Sequence, residues 1–347
     1  MASGKKQPIR TAVAGLGRAG WNMHAAAIRG RKDFVLTDVI DLEEKRLEEA
    51  RAEFGCRTFQ SWTKFLRESE AELVVVATQS KDHARQSIQA LKAGLHVLVE
   101  KPMATRVRDA DRMIAQAKES GRLLTVHQSV RHTPEVEHIR DVMRSGVLGR
   151  VFMIKRGSYG FSRRRDWQVL RKYGGGQLNN NGVHIIDQVV QLLDSPVKGV
   201  FGDLQQILNP GDAEDHVKVV IRAESGLVAD VEVTTACALP MPAWVLMGTR
   251  GTLVSDGKTS RLRYQKAKKL PPLRPEDSTM VSSRSYGTGE VIEFVEKTVP
   301  SSLPSKGDFY GHLYASIRKG EPLYVTPESA RETLYVLQQA RRGTPFA

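Results

Sequence analysis

The sequence predicts an α/β protein in two parts: a doubly wound N-terminal domain, then a domain rich in antiparallel strands. Three observations carry that expectation. Short apolar strands alternate with amphipathic helices from Thr11 to Val126, the pattern of a sheet covered by helices on both faces. Within it, Leu73-Val74-Val75-Val76-Ala77 is an unbroken apolar run, as expected of a strand buried on both sides in a parallel sheet. Beyond Val151 the strands instead alternate inside and outside, which suits an antiparallel sheet with one covered face.

Composition sets the outer bounds. A chain of 347 residues has room for two ordinary domains, and 40% hydrophobic with 26% charged residues reads as globular. No apolar run reaches the ~20 residues of a membrane-spanning helix, and residues 1–10 are polar and basic without the apolar core of a signal peptide. Two cysteines, Cys56 and Cys237, lie far apart and without metal-ligand spacing, so a reducing, cytoplasmic setting is expected and no metal. The net charge of +13 is scattered, with its densest knots at Arg163-Arg164-Arg165, Arg171-Lys172 and Lys268-Lys269. Neither a nucleic-acid motif nor an aromatic platform accompanies them, so no specific nucleic-acid or membrane partner is expected.

In chain order, an apolar strand climbs from Thr11 into Gly15-Leu16-Gly17-Arg18-Ala19-Gly20. In the G-x-G-x-x-G spacing each glycine has its own role. Gly15 makes the tight turn, Gly17 lets backbone approach a diphosphate, and Gly20 lets helix and strand pack closely. A diphosphate would rest on the free N–H groups where the following helix starts. That helix is expected over 24–29 and the next strand over 34–40, closed by Asp41. An acid about 20 residues past the glycines can bond both ribose hydroxyls and repel a 2′-phosphate, which favours NAD over NADP. Asp41 can also cap the helix expected over 42–54.

Further helices are expected over 84–93 and 109–120 and strands over 96–99 and 123–126, completing a first domain of residues 1–128. The second domain, 129–347, opens with a helix over 135–144. Strands follow over 151–156, 200–206, 216–222, 227–235, 243–247, 252–254, 261–264 and 291–298. Gly248-Thr249-Arg250-Gly251 reads as a hairpin turn and 266–289, with its prolines and serines, as a long loop. Helices over 308–319 and 328–341 close the chain, with room to pack back on the first domain.

Two stretches carry the chemistry. Glu100-Lys101-Pro102 ends a parallel strand, where ligands of open α/β sheets bind. Pro102 biases Lys101 toward an extended backbone and so fixes its direction, although a surface lysine at a strand end would look the same. The second stretch is Gly174-Gly175-Gly176, followed by Gln177-Leu178-Asn179-Asn180-Asn181-Gly182-Val183-His184. On a helix, Asn180, His184, Asp187 and Gln191 share one stripe, while Ile185, Ile186, Val189, Leu192 and Leu193 lie opposite. A polar stripe is usually a solvated face, yet this one holds amides, a histidine and an aspartate, with no lysine or glutamate.

The glycine fingerprint, the acidic strand end, Glu100-Lys101-Pro102 and the glycine run before a histidine-bearing helix together resemble the glucose–fructose oxidoreductase / inositol dehydrogenase (Gfo/Idh/MocA) family. So do the run from Ala90 to Pro102 and the ending Pro322-Leu323-Tyr324-Val325-Thr326-Pro327-Glu328. The resemblance implies a Rossmann domain joined to an α/β domain with a large, mostly antiparallel open sheet that often serves oligomerisation, here a homodimer or homotetramer. It implies an NAD-dependent oxidoreductase acting on a sugar, sugar-acid or cyclitol hydroxyl. Lys101 and His184 would handle the proton, and position 180 would contact the same hydroxyl. Cofactor contacts would come from Gly15, Leu16, Gly17, Arg18, Ala19, Asp41, Thr78, His83, Glu100 and Lys101. The arginine segment before the glycine run reads either as a basic exposed loop or subunit contact, or as a substrate contact in which Arg163 binds beside Lys101, Asn180 and His184 and Trp167 stacks on a pyranose.

Two departures stand out. Position 180 is Asn where many members carry Asp, so it can position a hydroxyl but not take its proton. His184, oriented by Asp187, is then the expected main acceptor. Thr78-Gln79-Ser80 replaces a more usual Thr-Pro-Asn. The first departure leaves open a redox-neutral enzyme with tightly held NAD, cleaving, eliminating or epimerising through a transient keto sugar. A non-catalytic NAD sensor is a third and lesser reading, since fold does not fix function.

Overall fold

A central strand, β1 (Ile9–Ala14), pairs in parallel with β2 (Phe34–Ile40) on one side and β4 (Leu73–Val76) on the other. A computed structural model describes residues 7–267, 269–275, 277, 290–301 and 308–347 of the chain. With β3 (Arg57–Phe59), β5 (His96–Val99) and β6 (Leu124–Val126), β1, β2 and β4 form a six-stranded parallel sheet of order β3-β2-β1-β4-β5-β6. Helices α1 (Ala26–Arg29), α2 (Glu44–Phe54), α3 (Trp62–Glu68), α4 (His83–Lys92) and α5 (Val107–Ser120) make the crossovers. Their apolar faces leave the four residues of β4 fully buried, which is why that strand reads as a continuous apolar run.

Helix α5 begins at Val107 and β1 at Ile9, each two residues before its expected start, and the other expected and observed elements in this half agree to within a residue except at three places. The helix after the glycines begins at Ala19, five residues early, because wide π-helical turns over Ala19–Ala25 lead into α1. Helix α2 starts at Glu44 rather than Leu42, since Asp41 and Leu42 continue the turn out of β2. The short β3 and α3 are additional to the expected elements. Three residues of strand are too few to show a period, although Phe59 and Phe65 anchor both elements in the core.

Among the described residues the second sheet has eight strands: β7 (Val151–Tyr159), β8 (Val197–Gln205), β9 (His216–Ala223), β10 (Val228–Thr234), β11 (Trp244–Gly248), β12 (Gly251–Ser255), β13 (Thr259–Gln265) and β14 (Phe294–Pro300). Their order is β14-β13-β12-β11-β7-β10-β9-β8, antiparallel except for the parallel pair β7–β10. Gly248 pairs with Gly251 across the expected hairpin turn. The loop expected over 266–289 falls largely outside the described residues.

Helices α6 (Pro134–Arg144), α7 (Val183–Val190), α8 (Phe309–Lys319) and α9 (Pro327–Arg341) complete the fold. Helix α8 sends Phe309, Tyr310 and Leu313 into the core of the first sheet. Helix α9 divides its side chains, Ala330 and Leu334 entering the first core and Val336, Leu337 and Ala340 the second. It therefore fastens the two sheets together through apolar burial. Among the described residues, the outer face of the second sheet exposes Phe201, Val254 and Phe294.

Candidate functional site

The glycine loop is shaped by what its neighbours forbid. Gly15 has φ +90°, and a Cβ there would lie 2.6 Å from the Ala77 carbonyl oxygen. A Cβ on Gly20 would lie 1.7 Å from the Gly15 oxygen, so helix and strand meet only because that atom is missing. Gly17 differs: a Cβ there would meet nothing within 4 Å. The space above it is open at the start of a helix, which is the opening a diphosphate needs.

Asp41 is buried at the end of β2 and accepts the Leu16 N–H (2.6 Å) and the Glu43 N–H (3.0 Å). It thus locks the glycine loop and turns the chain into α2 at once. Arg46 Nη1 approaches the same carboxylate at 3.5 Å. Thr78 Oγ1 donates to Gln86 Oε1 (2.5 Å). His83 is turned inward rather than toward a cofactor: its ring nitrogens lie 2.8 Å from the Pro102 carbonyl and 3.2 Å from the Thr78 carbonyl. It pins the strand ends of β4 and β5 to each other. Glu100 is likewise inward, its carboxylate engaged by His24 and His127.

Lys101 projects from the end of β5 across to the second domain and donates from Nζ to the Asn180 carbonyl (2.8 Å). Burial lowers its pKa, with the Glu100 charge opposing and Arg164 adding to the fall. Asn180 sits in π-helical turns over Leu178–Gly182 that lead into α7, the second place where wide turns open a helix at the site. Gln168 Nε2 donates to Asn180 Oδ1 (3.0 Å), and Asn180 Nδ2 in turn makes a long bond to Gln177 Oε1 (3.5 Å). Gln168 itself gives no signal in the sequence. One turn on, His184 is held near 3 by burial and by the charge of Lys101. Among the described residues, neither its Nδ1 nor Gln168 Oε1, both buried, has a partner, a state that calls for a ligand or water. Asn180, Gln168, Arg164, Gln177 and Glu214 line a narrow slot here.

Other expected residues go elsewhere. Asp187 does not orient His184: it is fully buried in a bidentate pair with Arg131 (2.6 and 2.9 Å) and accepts from Thr333 (2.7 Å). Arg163 donates outward to the Leu208 carbonyl (3.1 Å), while its neighbour Arg164 reaches the slot. Trp167 is 46% exposed and is not part of the slot lining. Arg18 crosses from the glycine loop to Asp166 (2.8 Å), which also holds Arg164 (2.8 Å).

Comparison with known proteins shows the family and the fold. Residues 9–128 match the oxidoreductase family with an NAD-binding Rossmann fold, GFO_IDH_MocA. Residues 136–254 match the GFO/IDH/MocA C-terminal domain. The scyllo-inositol 2-dehydrogenase (NADP(+)) of Bacillus subtilis is 23% identical over 98% of this chain and 95% of that protein. An NAD-binding protein from Listeria innocua superposes with a TM-score of 0.80 at 24% identity, covering 97% of this chain and 96% of that one. The WlbA dehydrogenase from Bordetella pertussis, solved with NADH and UDP-GlcNAcA, gives 0.76 at 22% identity, covering 97% of each chain.

Proposed function

The chain belongs to the GFO/IDH/MocA oxidoreductase family, and on that premise we propose that it moves hydride between NAD and a hydroxyl of a sugar, sugar acid or cyclitol. The observation that carries this reading is the bond from Lys101 Nζ to the Asn180 carbonyl beside His184, whose buried Nδ1 has no partner among the described residues. Once bound, the nicotinamide supplies the hydride acceptor. The residues of the chain do the rest.

Loss of hydride from a carbinol requires a proton to leave its oxygen, and a base with a pKa near the working pH serves best. Lys101, lowered by burial, takes that proton at Nζ. His184 stays neutral at working pH and bonds the hydroxyl to aim it, rather than storing its proton. With Asp187 paired to Arg131 instead of His184, the roles expected of Lys101 and His184 are thus reversed. Asn180, its carbonyl side held by Gln168, donates an N–H to a substrate oxygen. Asp41, at the end of β2, would meet the ribose of the bound cofactor, which supports NAD over NADP. We assign the cofactor to residues 1–128 and the substrate to 129–347, with the exposed outer face around Phe201 and Val254 as the oligomer contact.

Asn180, an amide that can position a hydroxyl but not take its proton, leaves a second reading, in which NAD stays bound through a redox-neutral turnover. Incubating desalted enzyme with NAD or NADP and a panel of polyols and glycosides separates the two. Net NADH supports the dehydrogenase. Cleaved or epimerised product without NADH supports the second reading, and preference for NADP removes the role given to Asp41.

A further inference from the structure

Beneath Lys101, and outside the roles given above, three buried side chains converge. His24 Nε2 lies 2.9 Å from Glu100 Oε1, and His127 Nδ1 lies 2.8 Å from the same oxygen. Tyr310 from α8 closes the group at 2.7 Å from His24 Nδ1. His24 is 0% exposed, His127 6% and Glu100 7%. The second carboxylate oxygen, Oε2, accepts the backbone N–H of Lys101 at 3.1 Å.

The proton positions follow from donor and acceptor chemistry. A carboxylate can only accept, so His24 donates from Nε2, His127 donates from Nδ1, and Tyr310 donates its hydroxyl to His24 Nδ1. That arrangement satisfies every bond with the His24 imidazole neutral. Burial favours this state for His24, outweighing the Glu100 bond. Burial alone would raise the Glu100 carboxyl, but the bonds from His127 and His24 outweigh it and hold Glu100 well below the carboxylate range. The cluster therefore holds one ionised carboxylate, Glu100, in the interior. Around Lys101 the facing groups are Glu100 below, Arg164 from the arginine segment and neutral His184 from α7.

We propose that the His24–Glu100–His127 cluster is a positioning device whose buried carboxylate supplies the counter-charge that sets the protonation of Lys101. His24 stands on the helix that begins at the glycine loop, so the counter-charge is tied to the cofactor site as well as to the end of β5. Glu100 touches no reacting atom; it acts through Lys101. The inference deepens the reading of Lys101 as the proton acceptor and rests on it for its consequence in catalysis, but not for its test.

The test titrates Lys101 by NMR in cofactor-free protein carrying isotope-labelled lysine, its resonance assigned by its loss in K101R. The isostere E100Q removes the charge and keeps the shape. It is expected to move the Lys101 titration down by roughly 1 to 2 pH units, as loss of a nearby opposite charge does. The acid limb of the kcat/KM profile should move down with it. E100D, with its carboxylate withdrawn by one methylene, should move both by less in the same direction, and it provides the reading should E100Q fail to fold. An unmoved Lys101 titration in folded variants overturns the proposal. So does one equivalent of zinc that survives chelation, because coordination by His24, Glu100 and His127 would cancel the charge. Full activity in K101A would sink the proton-acceptor role and leave the titration result standing, so the two failures are distinguishable.

Discussion

Lys101 and Asn180 meet through a side chain and a backbone: Nζ of the first donates to the carbonyl of the second at 2.8 Å. One residue ends a strand of the parallel sheet and the other opens the helix that leads to His184. The contact joins the two halves of the candidate site without using the Asn180 amide. The side chain can therefore be exchanged while the bridge stays in place.

Asn180→Asp exploits that separation. The new carboxylate can still accept from Gln168, but it adds a negative charge beside Lys101 and raises the Lys101 pKa. A base must be deprotonated to act, so the rise of kcat/KM should move up by about one pH unit with activity retained above it. A profile that does not move would show that Lys101 is not the titrating group.

His184 gives the complementary result. Burial and the charge of Lys101 hold it near 3, so it does not titrate where the enzyme works. His184→Gln should lower kcat by about 10- to 100-fold through lost aiming of the hydroxyl, with the pH limb unmoved. A limb that disappears in this variant would transfer the proton to His184.

The glycine loop separates packing from binding. Gly20→Ala places a methyl 1.7 Å from the Gly15 oxygen and should lower the melting temperature or abolish folding. Gly17→Ala meets open space and should melt like the parent, yet bind NAD about tenfold more weakly or worse because the methyl occupies the diphosphate opening. Calorimetric titration with NAD, beside a thermal melt, reads both. Equal NAD affinity in Gly17→Ala and the parent would move the diphosphate elsewhere.

What could be read from the sequence was local. The glycine triplet, Asp41 and Glu100-Lys101-Pro102 announce their chemistry through spacing and neighbours alone. Asp187 does not, because its partner Arg131 lies 56 positions away. A helical projection puts Asp187 on one stripe with Asn180 and His184, and a stripe suggests a common destination. Helix α7 is instead enclosed by α9, β7, β10 and the turn at Arg131, so each flank serves a different neighbour. The same limit hid the partners of Glu100: His24, His127 and Tyr310 come from three separate elements that only the folded chain brings together.

The Asp187–Arg131 pair makes its own prediction. Both side chains are almost fully buried, and removing one partner strands the other charge in the interior. Arg131→Met should cost about 3 to 5 kcal/mol in urea unfolding, with the Thr333 bond alone left to Asp187. A loss below about 1 kcal/mol, the scale of an exposed pair, would mean that water reaches this junction.

Lys101 as the proton acceptor is tested most directly by turnover of K101A against the parent, with NAD and whichever polyol or glycoside the parent converts. K101A should bind NAD as the parent does and lose about 100-fold or more in kcat, the share a positioned proton acceptor contributes. Parent-like kcat in K101A, with NAD still bound, would contradict that role.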